Sequence, residues 1–226
     1  MGLRIDYRVY LVTSGAGRST IAVAARAARG GAGVVQVRLK GASDWERLDL
    51  VCRVADAVGR ANPDTHVLVD DDVAVAGLAM RMGYHVHGVH VGAEDTPPRV
   101  AREMLGPEAV IGVTTGTLDL VRRANEDADV IDYVGAGPFR KTPTKDSGRE
   151  PLGLQGYPAL VAATLMPIVA IGDVQPADVR GLAATGVAGV AMVRGIMAAR
   201  DPEAVVRKAL ADFDAGRAAR PGGVST

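Results

Sequence analysis

Gln36, Arg38 and Lys40 recur at every second position, with Val37 and Leu39 between them. On an extended strand that spacing turns the amide and both cations to one face and the apolar pair to the other. Buried charge without a partner is costly, so such a face suits an anionic ligand such as a diphosphate. Asp70-Asp71-Asp72 and Glu94-Asp95 each follow an apolar run. Carboxylates on neighbouring loops repel one another unless a cation lies between them. Mg²⁺ takes one or two carboxylates, keeps waters and completes its shell with phosphate oxygens. The same residues can also cap helices, with Asp72 and Thr96 as the candidates ahead of Val73 and Pro97-Pro98.

A second set lies further along. The segment from Gly135 to Asp146 is too polar and too long for an ordinary strand-to-helix connection of roughly 2–6 residues. Its Thr142, Thr144 and Lys145 supply hydroxyls and a cation, the parts of a phosphate cradle. Gly172-Asp173 and Val193-Arg194-Gly195 follow the last two apolar runs. Backbone N–H groups there would face an anion, and Arg194 would add a charge-assisted bond.

The elements that carry these residues alternate along the chain. Apolar β-rich runs at 9–13, 34–39, 67–69, 88–91, 110–113, 133–135, 168–171 and 190–193 read as strands, each followed by a helical pattern. Helices are expected over 20–29 from Ser19, onward from Asp44, over 73–82, and over 202–213 with Asp201 capping and Pro202 in the first turn. About eight such units, with strands apolar on both faces, predict a single α/β domain: a (β/α)8 TIM barrel over residues 1–216 with a flexible tail at 217–226. An open doubly wound sheet shares the early signals, and the complete eighth unit favours closure. In a closed barrel all the residues named above follow strands and so meet at one mouth.

Composition removes several function classes. The 226 residues carry 26 basic and 26 acidic side chains, so a broad basic face for nucleic acid or anionic lipid is not expected. The uncharged stretch between Arg180 and Arg194 is shorter than the roughly 20 residues that span a bilayer. One cysteine, Cys52, makes no internal disulfide and is expected buried and inert, which fits a reducing cytoplasm. His85, His87 and His90 crowd together without zinc-like spacing, and His90 is expected as an interior residue with a hydrogen-bond partner. The expected partners are small phosphorylated molecules, with homo-oligomerisation left open.

Taken in order, these motifs resemble the thiamine-phosphate synthase (thiamine-phosphate pyrophosphorylase) family from about Tyr10 to Pro202. Gln36-x-Arg38-x-Lys40 resembles its Q-x-R-x-K segment, Asp70-Asp71 its Asn-Asp, and the stretch from Gly88 to Asp95 its G-V-H-L-G-Q-E-D. Gly137-Pro138 with Thr142-Pro143-Thr144-Lys145 resembles G-P…T-x-T-K. The resemblance implies that Gln36, Val37, Arg38, Leu39, Lys40, Asp70, Thr114 and Lys145 bind a pyrimidine diphosphate. It implies that Thr142, Pro143, Thr144, Gly172, Val193 and Arg194 bind a thiazole phosphate. Asp71 and Asp95 would hold Mg²⁺, while Arg38, Lys40 and Lys145 would act on the leaving diphosphate. Asp70, Ala93, Asp173 and Arg194 depart from the family's usual Asn, Gln, Gly and Ser. Two alternatives accompany this reading: a thiazole tautomerase and a non-catalytic thiamine-phosphate-binding barrel. Tautomerases use a histidine near the fifth strand, where this chain has Thr114-Thr115-Gly116-Thr117.

Overall fold

A computed structural model describes residues 5–92, 94–141 and 148–220. Eight strands, β1 (Val9–Val12), β2 (Val34–Val37), β3 (His66–Asp70), β4 (Gly88–Val91), β5 (Val110–Thr115), β6 (Tyr133–Ala136), β7 (Ile168–Ala170) and β8 (Gly189–Met192), form a closed barrel in sequence order. Every neighbouring pair is parallel, and Val9↔Val190 through Leu11↔Met192 seals β1 to β8. Outside lie α1 (Arg18–Arg29), α2 (Asp44–Ala61), α3 (Val73–Arg81), α4 (Pro98–Leu105), α5 (Leu118–Ala124), α6 (Gly153–Ala162), α7 (Val179–Ala184), α8 (Arg194–Met197) and α9 (Pro202–Ala218). The expected (β/α)8 barrel is therefore present, and the open sheet is not.

Period-two alternation sorts the strand residues into two cores. Val9, Leu11, Val35, Val37, Val67, Val69, Val89 and Val91 face the helices. Tyr10, Val12, Val34, Leu68, Val110, Tyr133, Val169 and Ala191 fill the barrel interior. Each fully buried aliphatic side chain contributes roughly 1.5–3 kcal/mol, so both layers matter to stability. Cys52 is buried on α2, as its sequence position suggests. No helix among the described residues is long and apolar enough to cross a membrane.

Several boundaries differ from the sequence expectation. Strand β2 stops at Val37, because the Arg38 amide donates to the Thr13 hydroxyl oxygen at 3.0 Å. Helix α1 starts at Arg18, behind Gly17, which places Ser19 inside it. Helix α2 is capped by Ser43, whose side chain accepts from the Glu46 amide while Glu46 reaches back to the Ser43 amide, so Asp44 is its first residue. Asp72 caps α3 and Asp201 caps α9 as expected. Thr96 does not cap α4: Pro97 takes the cap position, without a side-chain bond. Helix α9 runs past Phe213 to Ala218, two residues into the expected tail.

Candidate active site

The carboxyl end of β3 gathers most of the candidate residues. Asp70 ends the strand with its side chain 11 % exposed. Gln36 Nε2 donates to Asp70 Oδ1, while Arg38 Nε and Lys40 Nζ lie 3.3 and 3.6 Å from Asp70 Oδ2. The polar face expected of Gln36, Arg38 and Lys40 thus converges on one carboxylate, even though β2 ends before two of them. Lys40 also pairs with Asp71 Oδ2. The Val37 side chain turns into the outer core and Leu39 packs against it. A groove of about 320 Å³ opens here, lined by Leu39, Lys40, Asp70, Asp71, Thr96 and Met104. A second groove, of about 380 Å³, lies in the helical layer between α1 and α2, where Arg18, Ile21 and Arg53 line it.

Asp71 has φ +62°, a left-handed conformation that Asp tolerates better than most residues. Its amide donates to the His90 carbonyl at 2.8 Å, which ties the turn after β3 to β4. Asp95 accepts from the Gly92 amide at 2.7 Å. Burial pushes the Asp70 carboxyl up to about 6, with the Asp71 charge adding to the rise and Lys40 and Arg38 opposing it. The Asp95 carboxyl is likewise raised, by burial and then by direct contact with the Asp71 carboxyl. Burial lowers Lys40, but its hydrogen bond to Asp71 and the charges of Asp70 and Asp71 outweigh that and raise it. Asp72, the α3 cap, pairs with Arg47 at 2.5 Å and is spent on structure.

A carboxyl raised by its contact with a second carboxylate, as Asp95 is by Asp71, is the donor arrangement a hard dication relieves. Among the described residues no group of three or more His, Cys, Asp or Glu is placed to hold a metal unaided. Asp71 and Asp95 form a pair, which fits Mg²⁺ completed by waters and phosphate oxygens.

Across the mouth, Gly172 has φ +106°, and a Cβ there would lie 2.5 Å from Pro138 Cα, so the β7 loop and the segment after β6 are pressed together. Phe139 and Arg140 amides donate to the Ile171 and Gly172 carbonyls at 2.8 and 3.1 Å. Val193 packs on the inner core, and Arg194 opens α8 with Nη2 2.5 Å from Asp173 Oδ1. That bond to Arg194 holds the Asp173 carboxyl below its ordinary range. Thr142, Pro143, Thr144 and Lys145, together with Ala93, lie outside the described residues.

Three residues that sequence reasoning treated as core or packing belong to the polar interior. Tyr10 Oη donates to Gln36 Oε1 at 2.7 Å and is 2.8 Å from Tyr133 Oη. His90 places Nδ1 2.9 Å from Tyr133 Oη and Nε2 3.0 Å from Thr114 Oγ1, so the hydrogen-bond partner expected for His90 is present twice. The available signal was a pair of glycines: a Cβ at Gly112 would sit 2.2 Å from the Tyr133 ring, and one at Gly135 3.0 Å from the His90 ring. His66, His85 and His87 form a separate stack, with ring centroids 4.6 Å apart for His66–His87 and 4.4 Å for His85–His87.

A family model described as Thiamine monophosphate synthase matches residues 9–196, most of the barrel. The chain belongs to the thiamine monophosphate synthase family. It is 58 % identical over 213 residues to the thiamine-phosphate synthase of Corynebacterium jeikeium, covering 94 % of this chain and 97 % of that one. The thiamine-phosphate synthase of Corynebacterium efficiens is 52 % identical over the same length, with the same coverage. Among solved structures, a thiamine phosphate pyrophosphorylase from Pyrococcus furiosus superposes with a TM-score of 0.79 at 26 % identity, over 95 % of this chain and 99 % of that one. Membership of the thiamine monophosphate synthase family thus holds at the level of sequence and of barrel.

Proposed function

We propose that the mouth of this barrel joins 4-amino-2-methyl-5-hydroxymethylpyrimidine diphosphate to 4-methyl-5-hydroxyethylthiazole phosphate, giving thiamine phosphate and diphosphate. The chain is a transferase of the thiamine-phosphate synthase type. The observation that carries the reading of the site is the meeting of Arg38, Lys40, Asp70, Asp71 and Asp95 at neighbouring strand ends.

As the bond from the pyrimidine methylene to diphosphate lengthens, the leaving oxygen gains negative charge and the methylene gains positive charge. Asp71 and Asp95 would hold Mg²⁺, which when bound would supply charge neutralisation to the diphosphate. Arg38, Lys40 and Lys145 stabilise the departing oxygens most when their charge is greatest. Gln36 and Thr114 orient the pyrimidine. Thr142, Pro143, Thr144, Gly172, Val193 and Arg194 hold the thiazole phosphate so that the ring nitrogen meets the methylene in line. The thiazole nitrogen is the nucleophile, so the protein needs none. Asp70, an acid where the family usually has Asn, is offset by Arg38 and Lys40 on its outer oxygen. The free Cys52 thiol favours the cytoplasm as its compartment.

Incubation with both substrates and Mg²⁺ tests the reading. Diphosphate release that requires the thiazole phosphate is expected. Binding without turnover, or isomerisation of a thiazole carboxylate phosphate, would overturn it; neither alternative draws support from the relatives, which are synthases by name.

A further inference from the structure

One side chain from each of six consecutive strands joins a single hydrogen-bonded chain: Asp70, Gln36, Tyr10, Tyr133, His90 and Thr114. It dips into the barrel from Asp70 at the mouth, crosses the fully buried tyrosines, and returns to the mouth at Thr114. Donor counting gives it a direction. Asp70 faces Arg38 and Lys40 through Oδ2, so it is a carboxylate and its Oδ1 can only accept. Gln36 therefore gives it an amide hydrogen and turns Oε1 toward Tyr10. Tyr10 spends its one hydroxyl hydrogen on that oxygen, which makes Tyr133 the donor in the tyrosine pair. With its own hydrogen spent, Tyr133 accepts from His90 Nδ1–H. In the neutral imidazole Nε2 is then an acceptor, and Thr114 donates its hydroxyl hydrogen there.

We propose that this one-way chain presents Thr114 Oγ1 to the substrate as an acceptor, and that Tyr10, Tyr133 and His90 are positioning residues through which the barrel selects a ligand group bearing N–H. The selection rests on the reading above, in which Thr114 meets the pyrimidine. A 4-amino group offers the hydrogen that Thr114 requires. A 4-oxo group at the same place sets lone pairs against lone pairs and leaves the oxo oxygen without a donor, because Thr114 spends its hydrogen on His90. An unpaired buried polar group of this kind lowers affinity roughly 10- to 100-fold. Low dielectric around the tyrosines makes reversal of the whole chain costly, because each of its members would have to turn at once.

Two measurements test this. Nitrogen-15 NMR of the unliganded wild-type protein at neutral pH should show His90 as the Nδ1–H tautomer; an Nε2–H tautomer or an imidazolium overturns the chain's direction. Calorimetric titration should then compare the aminopyrimidine diphosphate with its 4-oxo counterpart, both with Mg²⁺. Wild type should prefer the amino form roughly 10- to 100-fold. Tyr133→Phe, or Tyr10→Phe where the former does not fold, should narrow that preference several-fold; an unchanged ratio in a folded variant refutes the role of the chain. If wild type binds neither pyrimidine, the reading of the site fails, while the tautomer still decides the direction of the chain.

Discussion

Arg194 Nη2 lies 2.5 Å from Asp173 Oδ1, joining the loop after β7 to the first turn of α8. Both residues depart from the family's usual types, and they depart together. Arg194→Ser would strip the Asp173 carboxylate of its directly paired cation beside an incoming phosphate. We expect KM for the thiazole phosphate to rise on the order of 30-fold with kcat little changed, as for loss of ground-state and transition-state binding alike. Adding Asp173→Gly should recover roughly fivefold, because it removes the repulsion. Steady-state kinetics on the single and double variants check this; a double variant worse than Arg194→Ser alone counts against it.

Asp71→Asn should lower kcat by about 10²–10³, the scale of losing one main electrostatic stabiliser. Asp95→Asn should act in the same direction and raise the Mg²⁺ concentration needed for half-maximal rate. Circular dichroism should show both folded, since each substitution keeps the shape of the side chain. Turnover within twofold of wild type in either variant would remove that residue from the metal site.

Stability should fall in mild acid through the histidine stack. Burial lowers His87 to about 4, with the neighbouring His66 and His85 rings adding to the effect, and burial also lowers His66. Both therefore lie below their ordinary value in the folded chain, so the unfolded chain takes up protons first as pH drops. The contribution is complete near pH 7 and is lost between about 6.5 and 4, amounting to about 2 kcal/mol at most given the partial exposure of His87. Urea unfolding across that range should show the slope, and His87→Asn, which keeps an acceptor for the Val67 amide, should flatten it.

Gly112→Ala should destabilise the barrel by forcing a Cβ to within 2.2 Å of the Tyr133 ring. Overpacking of this kind costs roughly 1–3 kcal/mol, or a Tm lower by about 3–10 °C in a chain of this size. Thermal unfolding gives the number directly. No change would mean that the ring has room the geometry does not show.

The barrel was legible because eight apolar runs recur with helices between them, and closure follows from the eighth. The meeting of the charged candidates was legible too, since Arg38, Lys40, Asp71 and Asp95 are chemically out of place beside apolar strands. Fine boundaries were not: a side chain outside the strand, Thr13, ends β2, and Ser43 outcompetes Asp44 because Glu46 can answer it. Nor was the hydrogen-bonded chain through Tyr10, Tyr133 and His90. Its members stand on different strands, and only the register of the closed sheet brings them together.

Among the described residues, the two non-glycines with positive φ, Asp71 at +62° and Asp173 at +54°, each stand just past a strand end, and each is gripped by a cation. Their backbone shape narrows the usable alphabet at both places to Asp, Asn and Gly, whatever the chemistry demands. A valine or leucine scan there would mix twisted main chain with missing charge, and the loss of function it records would belong to neither. Asparagine is the swap that isolates the electrostatics, and glycine the one that isolates the bend.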